Sequence, residues 1–231
     1  MSTANPIDIA ARLEMVRERI GRACVRAHRT TASVCLVLAS KTQPPAAIAA
    51  AYAAGARHFG ENYVQEAILK RAALAHLSDA RWHMIGHLQT NKARVAAENF
   101  ALVHTLDNLR LANALVGARP APPMPVLIEI KLGGEPSKNG VTPDASAALI
   151  DSVRAMVEIR GLMTIPPPAK NPAAARPWFA QLRELRDRLA AHSGLALSDL
   201  SMGMSEDYEA AIEEGATIVR VGRAVFGDRH G

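Results

Sequence analysis

The sequence predicts an α/β architecture, a single closed (β/α)8 TIM barrel with one extra helix at its N-terminus. Three observations carry this. Eight short apolar segments recur along the chain, amphipathic helical patterns separate them, and no Gly-rich dinucleotide turn follows the first segment. Strands that alternate with helices pair in parallel through right-handed crossovers. Eight such units in about 190 residues suit a barrel at the compact end of that fold's range. The runner-up, a doubly wound open sheet, would carry a glycine fingerprint where this chain has Ser40-Lys41-Thr42-Gln43-Pro44-Pro45.

Ile9, Leu13, Val16, Ile20 and Cys24 recur at spacings of three and four, so the chain opens with an amphipathic helix. The period breaks after Thr30 and Thr31. Residues 34–39 then form a continuous apolar run, the pattern of a strand buried on both faces. Further strands are expected over 57–60, 81–86, 101–105, 126–132, 161–165, 197–202 and 217–222. Helices are expected over 45–54, 63–76, 91–99, 109–116, 143–158, 174–192 and 206–214. The Pro-rich stretches 120–125 and 166–172 read as surface connections because the pattern continues across both, so residues 1–231 are expected to form one domain.

Composition narrows the function. Hydrophobic residues at 49% and charged residues at 21% exclude wholesale disorder and a coiled-coil rod. Aromatics at 4% argue against stacking on single-stranded nucleic acid. The net charge of +5 is scattered along the chain, which permits an anionic ligand without demanding one. Cys24 and Cys35 sit in apolar periodic segments and read as small buried hydrophobes of a reducing compartment. Charged residues from Asp8 to Glu18 interrupt any signal-peptide core, and no segment approaches the roughly 18 apolar residues of a membrane span. A soluble cytoplasmic monomer is expected, with neither nucleic acid nor membrane as partner.

In a barrel of this kind the site lies at the C-terminal ends of the strands. Those positions are polar here: Ser40-Lys41, Gly60-Glu61-Asn62, His83 with Gly86-His87, the run from Ser201 to Ser205, and Arg220 to Arg223. A lysine abutting a buried strand loses solvation when charged, which favours the neutral amine that attacks a carbonyl; Lys41 either does this or snorkels to solvent. Gly222 opens a turn whose backbone amides suit a phosphate, with Ser201 and Ser205 as hydroxyl donors, although Ser205 equally suits the N-cap of the 206–214 helix. Arg220 lies inside an apolar strand and needs an acceptor, either a ligand or an internal carboxylate such as Glu129 or Glu61. His83 reads more readily as a satisfied core histidine than as a catalyst. No Ser-His-Asp order, catalytic carboxylate pair or metal-ligand spacing stands out.

Seven segments, taken in order, carry a resemblance. They are residues 39–42, 59–66, 82–92, Ser137-Lys138-Asn139-Gly140, 161–166, 201–207 and 219–222. The chain resembles the pyridoxal phosphate homeostasis proteins, the YggS and PROSC group, over nearly its whole length. The resemblance implies a barrel like the N-terminal domain of alanine racemase, with pyridoxal 5′-phosphate at its mouth and Lys41 joined to it as a Schiff base. It implies that Ser201, Gly203, Ser205, Gly222 and Arg223 form the phosphate-cradling loops, that Asn62 and Met163 line the cofactor, and that Arg220 lies near its phosphate or ring nitrogen. His83 and Met204, inside matched segments, complete the set. Two positions depart from the family pattern, Arg223 for a small hydroxyl residue and Lys131 for an asparagine.

The resemblance further implies a vitamin B6 carrier and regulator without established turnover, exchanging its cofactor with amino acids or with apoenzymes that use it. The alternative is a racemase or related enzyme on the same barrel. Such enzymes place a catalytic tyrosine from a second, β-rich domain against the cofactor, whereas this chain reaches Gly231 just after the eighth unit. A bare interaction scaffold would leave the polar mouth unexplained.

Overall fold

In the computed structural model eight parallel strands close on themselves in chain order: β1 Cys35–Ala39, β2 His58–Glu61, β3 Arg81–Met84, β4 Leu102–Leu106, β5 Pro125–Glu129, β6 Glu158–Met163, β7 Asp199–Ser201 and β8 Ile218–Val221. The structure describes residues 6–119, 121–133, 139–168 and 170–227. Ser137 and Lys138 of the matched segments lie outside them, as do Pro120 and Ala169 of the Pro-rich stretches. Helices flank the strands: α1 Pro6–Arg26, α2 Pro45–Ala53, α3 Val64–Ala73, α4 Ala93–Asn99, α5 Leu109–Ala118, α6 Pro143–Val153, α7 Pro172–Ser193, α8 Tyr208–Glu213 and α9 Arg223–Phe226. Among the described residues no helix is long and apolar enough to cross a membrane.

Strand alternation builds two apolar layers. Outward residues such as Leu38, Phe59, Val103, Leu162 and Val219 pack under the helices, while Val37, Leu102, Leu127, Met163 and Ile218 form a small cluster of their own inside the barrel. The five residues spaced along α1 are all buried, and α1 lies against α2, α8 and α9, bridging the first and last units. Local sequence sets the starts of the helices. Asn108 and Asn171 accept hydrogen bonds from the amides of Leu111 and Ala174, and proline occupies the first turn of α2, α6 and α7. At Gly161 a Cβ would fall 1.8 Å from the carbonyl oxygen of Asp199, so β6 can approach β7 only with glycine there.

Several expected boundaries shift. Strand three stops at Met84, short of 86, and strand five runs from Pro125 to Glu129, not over 126–132. Beyond Glu129 the Lys131 amide bonds the Val141 carbonyl, so the chain turns to a local bridge outside the barrel. Strand six begins three residues early, at Glu158. Strand seven begins late, at Asp199, because Leu197 adopts a φ of 41°, which no strand accommodates. Helices expected over 63–76, 143–158 and 206–214 shorten at one or both ends, and the one expected over 91–99 starts at Ala93 after a 3-10 turn. Pro125 and Pro172 each open an element, which fits the surface-connection reading of both Pro-rich stretches.

Candidate functional site

Lys41 stands two residues beyond β1, half-buried, in a turn that is tightly held. Thr42, next in the chain, adopts a φ of 65°, and its amide donates to Glu66 Oε1 at 2.6 Å. On the other side Ser40 Oγ donates to Glu61 Oε1 at 2.6 Å. Lys70 from α3 joins all of these, donating to the Ser40 carbonyl at 2.7 Å and pairing with Glu61 at 2.9 Å and Glu66 at 2.6 Å. Glu61 is fully buried, which pushes its pKa up against the pull of Ser40 and Lys70. A buried ion pair thus anchors the loop that presents Lys41.

Arg220 on β8 is buried. Its Nη1 donates to Ser201 Oγ at 2.6 Å and its Nη2 to the Thr164 carbonyl at 2.9 Å. This corrects the internal salt-bridge reading: Glu61 is held by Lys70, and among the described residues no carboxylate comes within ion-pair distance of Arg220. Burial pulls its pKa down to about 10, opposed by the fields of Glu129 and Asp207, so the guanidinium remains a cation bonded to neutral oxygens. Glu129 at the end of β5 is also buried, its Oε2 has no hydrogen-bond partner among the described residues, and burial together with Asp107 raises its pKa to about 7.

The loops after β7 and β8 meet. Gly203, at a φ of 90°, sits where a Cβ would fall 2.5 Å from that of Ala211. Met204 is exposed, and its amide donates to Asp207 Oδ1 at 2.7 Å. Ser205 is no helix cap, because α8 starts at Tyr208. Its hydroxyl instead accepts from the amides of Gly222 and Ala224 at 3.3 and 3.4 Å, so two backbone donors converge on one oxygen. Arg223 points to the surface and pairs with Glu206.

Met163 closes β6 inside the barrel. Asn62 follows β2 and lines a cavity of about 310 Å3 with Tyr63, His87 and Lys92. A larger one, about 490 Å3, is lined by Arg71, Arg81 and Arg119, and neither Lys41 nor Arg220 reaches it. His83 is placed in the barrel interior, with His58 and His104 at 2.9 Å from its two ring nitrogens. The core-histidine reading therefore describes its surroundings, and its path to Arg220 among the described residues runs through His104 and Ser201.

Sequence reasoning passed over Lys70, His58 and His104, and met Glu129 only as a partner for Arg220. For Lys70 a signal existed: it falls at helical spacing from Val64 and Ala67, on the face that α3 buries.

Residues 12–230 match the family described as alanine racemase, N-terminal domain. The pyridoxal phosphate homeostasis protein of Pseudomonas aeruginosa is 48% identical over 225 residues, covering 96% of each chain, and that of Aquifex aeolicus is 46% identical over 94% of this chain and 97% of its own. The chain belongs to the pyridoxal phosphate homeostasis protein family. PipY of Synechococcus elongatus has been solved with PLP bound; it is 40% identical, with a TM-score of 0.82 over 95% of this chain and all of its own. Alanine racemase of Corynebacterium glutamicum, 18% identical with a TM-score of 0.74, shares the fold of the family, and this chain spans 62% of it.

Proposed function

We propose that this chain binds pyridoxal 5′-phosphate at the C-terminal mouth of the barrel and serves vitamin B6 homeostasis as a cytoplasmic carrier without catalytic turnover. One observation carries the reading. The β1–β8 pairing sets Val37 beside Arg220, so a buried cation bonded to neutral oxygens lies on the strand next to the one that presents the Lys41 amine. The donor chemistry fits the cofactor: an amine for its aldehyde, a guanidinium for its phosphate or ring nitrogen, and the converging amides of Gly222 and Ala224 with the Ser205 hydroxyl for phosphate oxygens. Gly203 shapes that loop, and Asn62 and Met163 bound the space. When bound, the cofactor supplies a reactive aldehyde that amino acids and apoenzymes can compete for. The chain's own part is to orient that aldehyde at Lys41, shield it from water and release it.

Reduction with borohydride tests this. Protein loaded with pyridoxal 5′-phosphate should turn yellow, and reduction should leave the cofactor attached to Lys41. Recovery of the label on Lys131 would overturn the assignment, and Lys41→Ala should stay folded but lose the trapped adduct. In a second arm, L-alanine in heavy water should gain deuterium at Cα far more slowly than about 1 per second, the lower range of ordinary turnover.

Arg220→Ala should weaken cofactor binding by about 2 kcal/mol or more, roughly 30-fold, the scale of a desolvated charged hydrogen bond. Arg223→Ala, whose side chain already pairs with Glu206 at the surface, should change affinity by less. Titration with pyridoxal lacking the phosphate separates the roles of Arg220. An equal loss for both ligands would place the guanidinium away from the phosphate.

A further inference from the structure

TIM-barrel interiors are normally filled by branched aliphatic side chains. Here a continuous polar file crosses the interior. His58 Nδ1 lies 2.9 Å from His83 Nε2, His83 Nδ1 lies 2.9 Å from His104 Nε2, and His104 Nδ1 lies 2.9 Å from Ser201 Oγ. Arg220 then donates to that hydroxyl. The file starts at the first residue of β2, where His58 is half-buried, passes two buried rings on β3 and β4, and ends beside the candidate cofactor site.

The geometry leaves little choice of proton positions. Burial holds His83 at a pKa of about 3 and His104 well below the usual histidine range, so both are neutral. A neutral imidazole has one N–H and one acceptor nitrogen. Each contact in the file needs one donor and one acceptor, so the tautomer of any ring dictates that of the next. Only two arrangements satisfy every contact. In the outward one, Ser201 donates to His104 Nδ1 and all three rings carry the proton on Nε2. In the inward one, all three carry it on Nδ1, Ser201 accepts from both His104 and Arg220, and its own proton points elsewhere in the mouth.

We propose that His58, His83, His104 and Ser201 form a proton-ordered relay whose direction is set as one unit, so that one proton crosses the barrel whenever the direction reverses. The balance is simple. Passing from inward to outward, a proton enters at His58 Nε2, each N–H hops to the next acceptor, and the Ser201 hydroxyl gives its original proton to a group in the mouth. The reverse passage takes one proton from that group and returns one at His58 Nε2. Without an acceptor in the mouth the outward arrangement prevails, because the inward one leaves a buried hydroxyl proton without a partner. A proton taken up by His58 forces the inward arrangement, since Nδ1 then donates. The other groups at that end are Arg81, His58's register partner on β3, with Cys35 on β1, Arg160 on β6 and Asp199 on β7, the last two paired at 2.9 Å.

Tautomers are read by two-bond 1H–15N correlations on 15N-labelled, ligand-free protein. Near neutral pH all three rings should carry the proton on Nε2, and a mixture of tautomers overturns the proposal. On acidification His83 and His104 should change to Nδ1–H at the midpoint at which His58 titrates. In His58→Gln they should hold their tautomer through that range. In His83→Phe the titration of His58 should leave His104 unmoved. A wild-type His104 that ignores the titration of His58 overturns the coupling, as does one that still follows it in His83→Phe. Only the mouth end rests on the cofactor reading. Pyridoxal 5′-phosphate, its uptake followed by visible absorption, should turn all three rings to Nδ1–H together. Uptake with unchanged tautomers sinks the mouth end of the relay, whereas no uptake sinks the cofactor reading and leaves the acid titration to decide the relay.

Discussion

Lys70→Ala is expected to destabilise the protein by about 3–5 kcal/mol, the range for removing one partner of a buried ion pair. Glu61 is the reason. It is fully buried, its carboxylate holds the Ser40 hydroxyl and the Lys70 ammonium, and without the ammonium it must either stay charged in an apolar setting or take up a proton. Urea unfolding followed by circular dichroism measures the loss, and a change under about 1 kcal/mol would show that the pair carries no weight. Lys70→Met combined with Glu61→Gln should recover part of the stability, because neither charge is then left alone. The same variant separates anchoring from folding. Lys70 also donates to the Ser40 carbonyl, so Lys70→Ala should slow borohydride trapping at Lys41 even in the folded fraction.

Glu129 should make stability fall as pH rises. Its folded-state pKa is about 7 against an ordinary 4.5, raised first by burial and then by Asp107. At pH 4 it is protonated folded or unfolded and makes no difference. Above about 4.5 the unfolded chain releases the proton and the folded chain keeps it, so stability is lost progressively until pH reaches about 7. A shift of this size corresponds to about 3 kcal/mol. Glu129→Gln should match the wild type near pH 4 and exceed it by that amount above pH 7 in ligand-free protein. Parallel stability curves for the two proteins would refute it.

The order of eight strands was legible because buried parallel strands read as apolar runs between helical patterns. The mouth residues were legible for a related reason: a polar residue directly after such a run marks the strand end that opens to the mouth. Lys41 stood out on that ground, and Arg220 because it interrupts an apolar strand. The partners did not. Arg220 was seen to need an acceptor, but whether Glu61, Glu129 or Ser201 supplied it depended on a register that one sequence does not fix, and Glu61 was already held by a lysine from the next helix. His58, His83 and His104 lie on three separate strands, 25 and 21 residues apart in the chain, and only the side-by-side pairing of β2, β3 and β4 lines them up. Strand ends were misjudged where backbone conformation, as at Leu197, overrides an apolar pattern.

A barrel whose first strand pairs with its last cannot close while the chain is still being made. Val37 and Arg220 face each other across about 180 intervening residues, and α1 rests on α8 and α9. Synthesis at roughly 5–20 residues per second leaves the early units waiting many seconds for those partners to leave the ribosome, with the edge of β1 exposed meanwhile. The strand that leads into Lys41 and the strand bearing Arg220 come together only at that final closure. On the proposed function, a nascent chain would offer no complete site for a reactive aldehyde, and the capacity to sequester one would arrive in a single step with the finished seam.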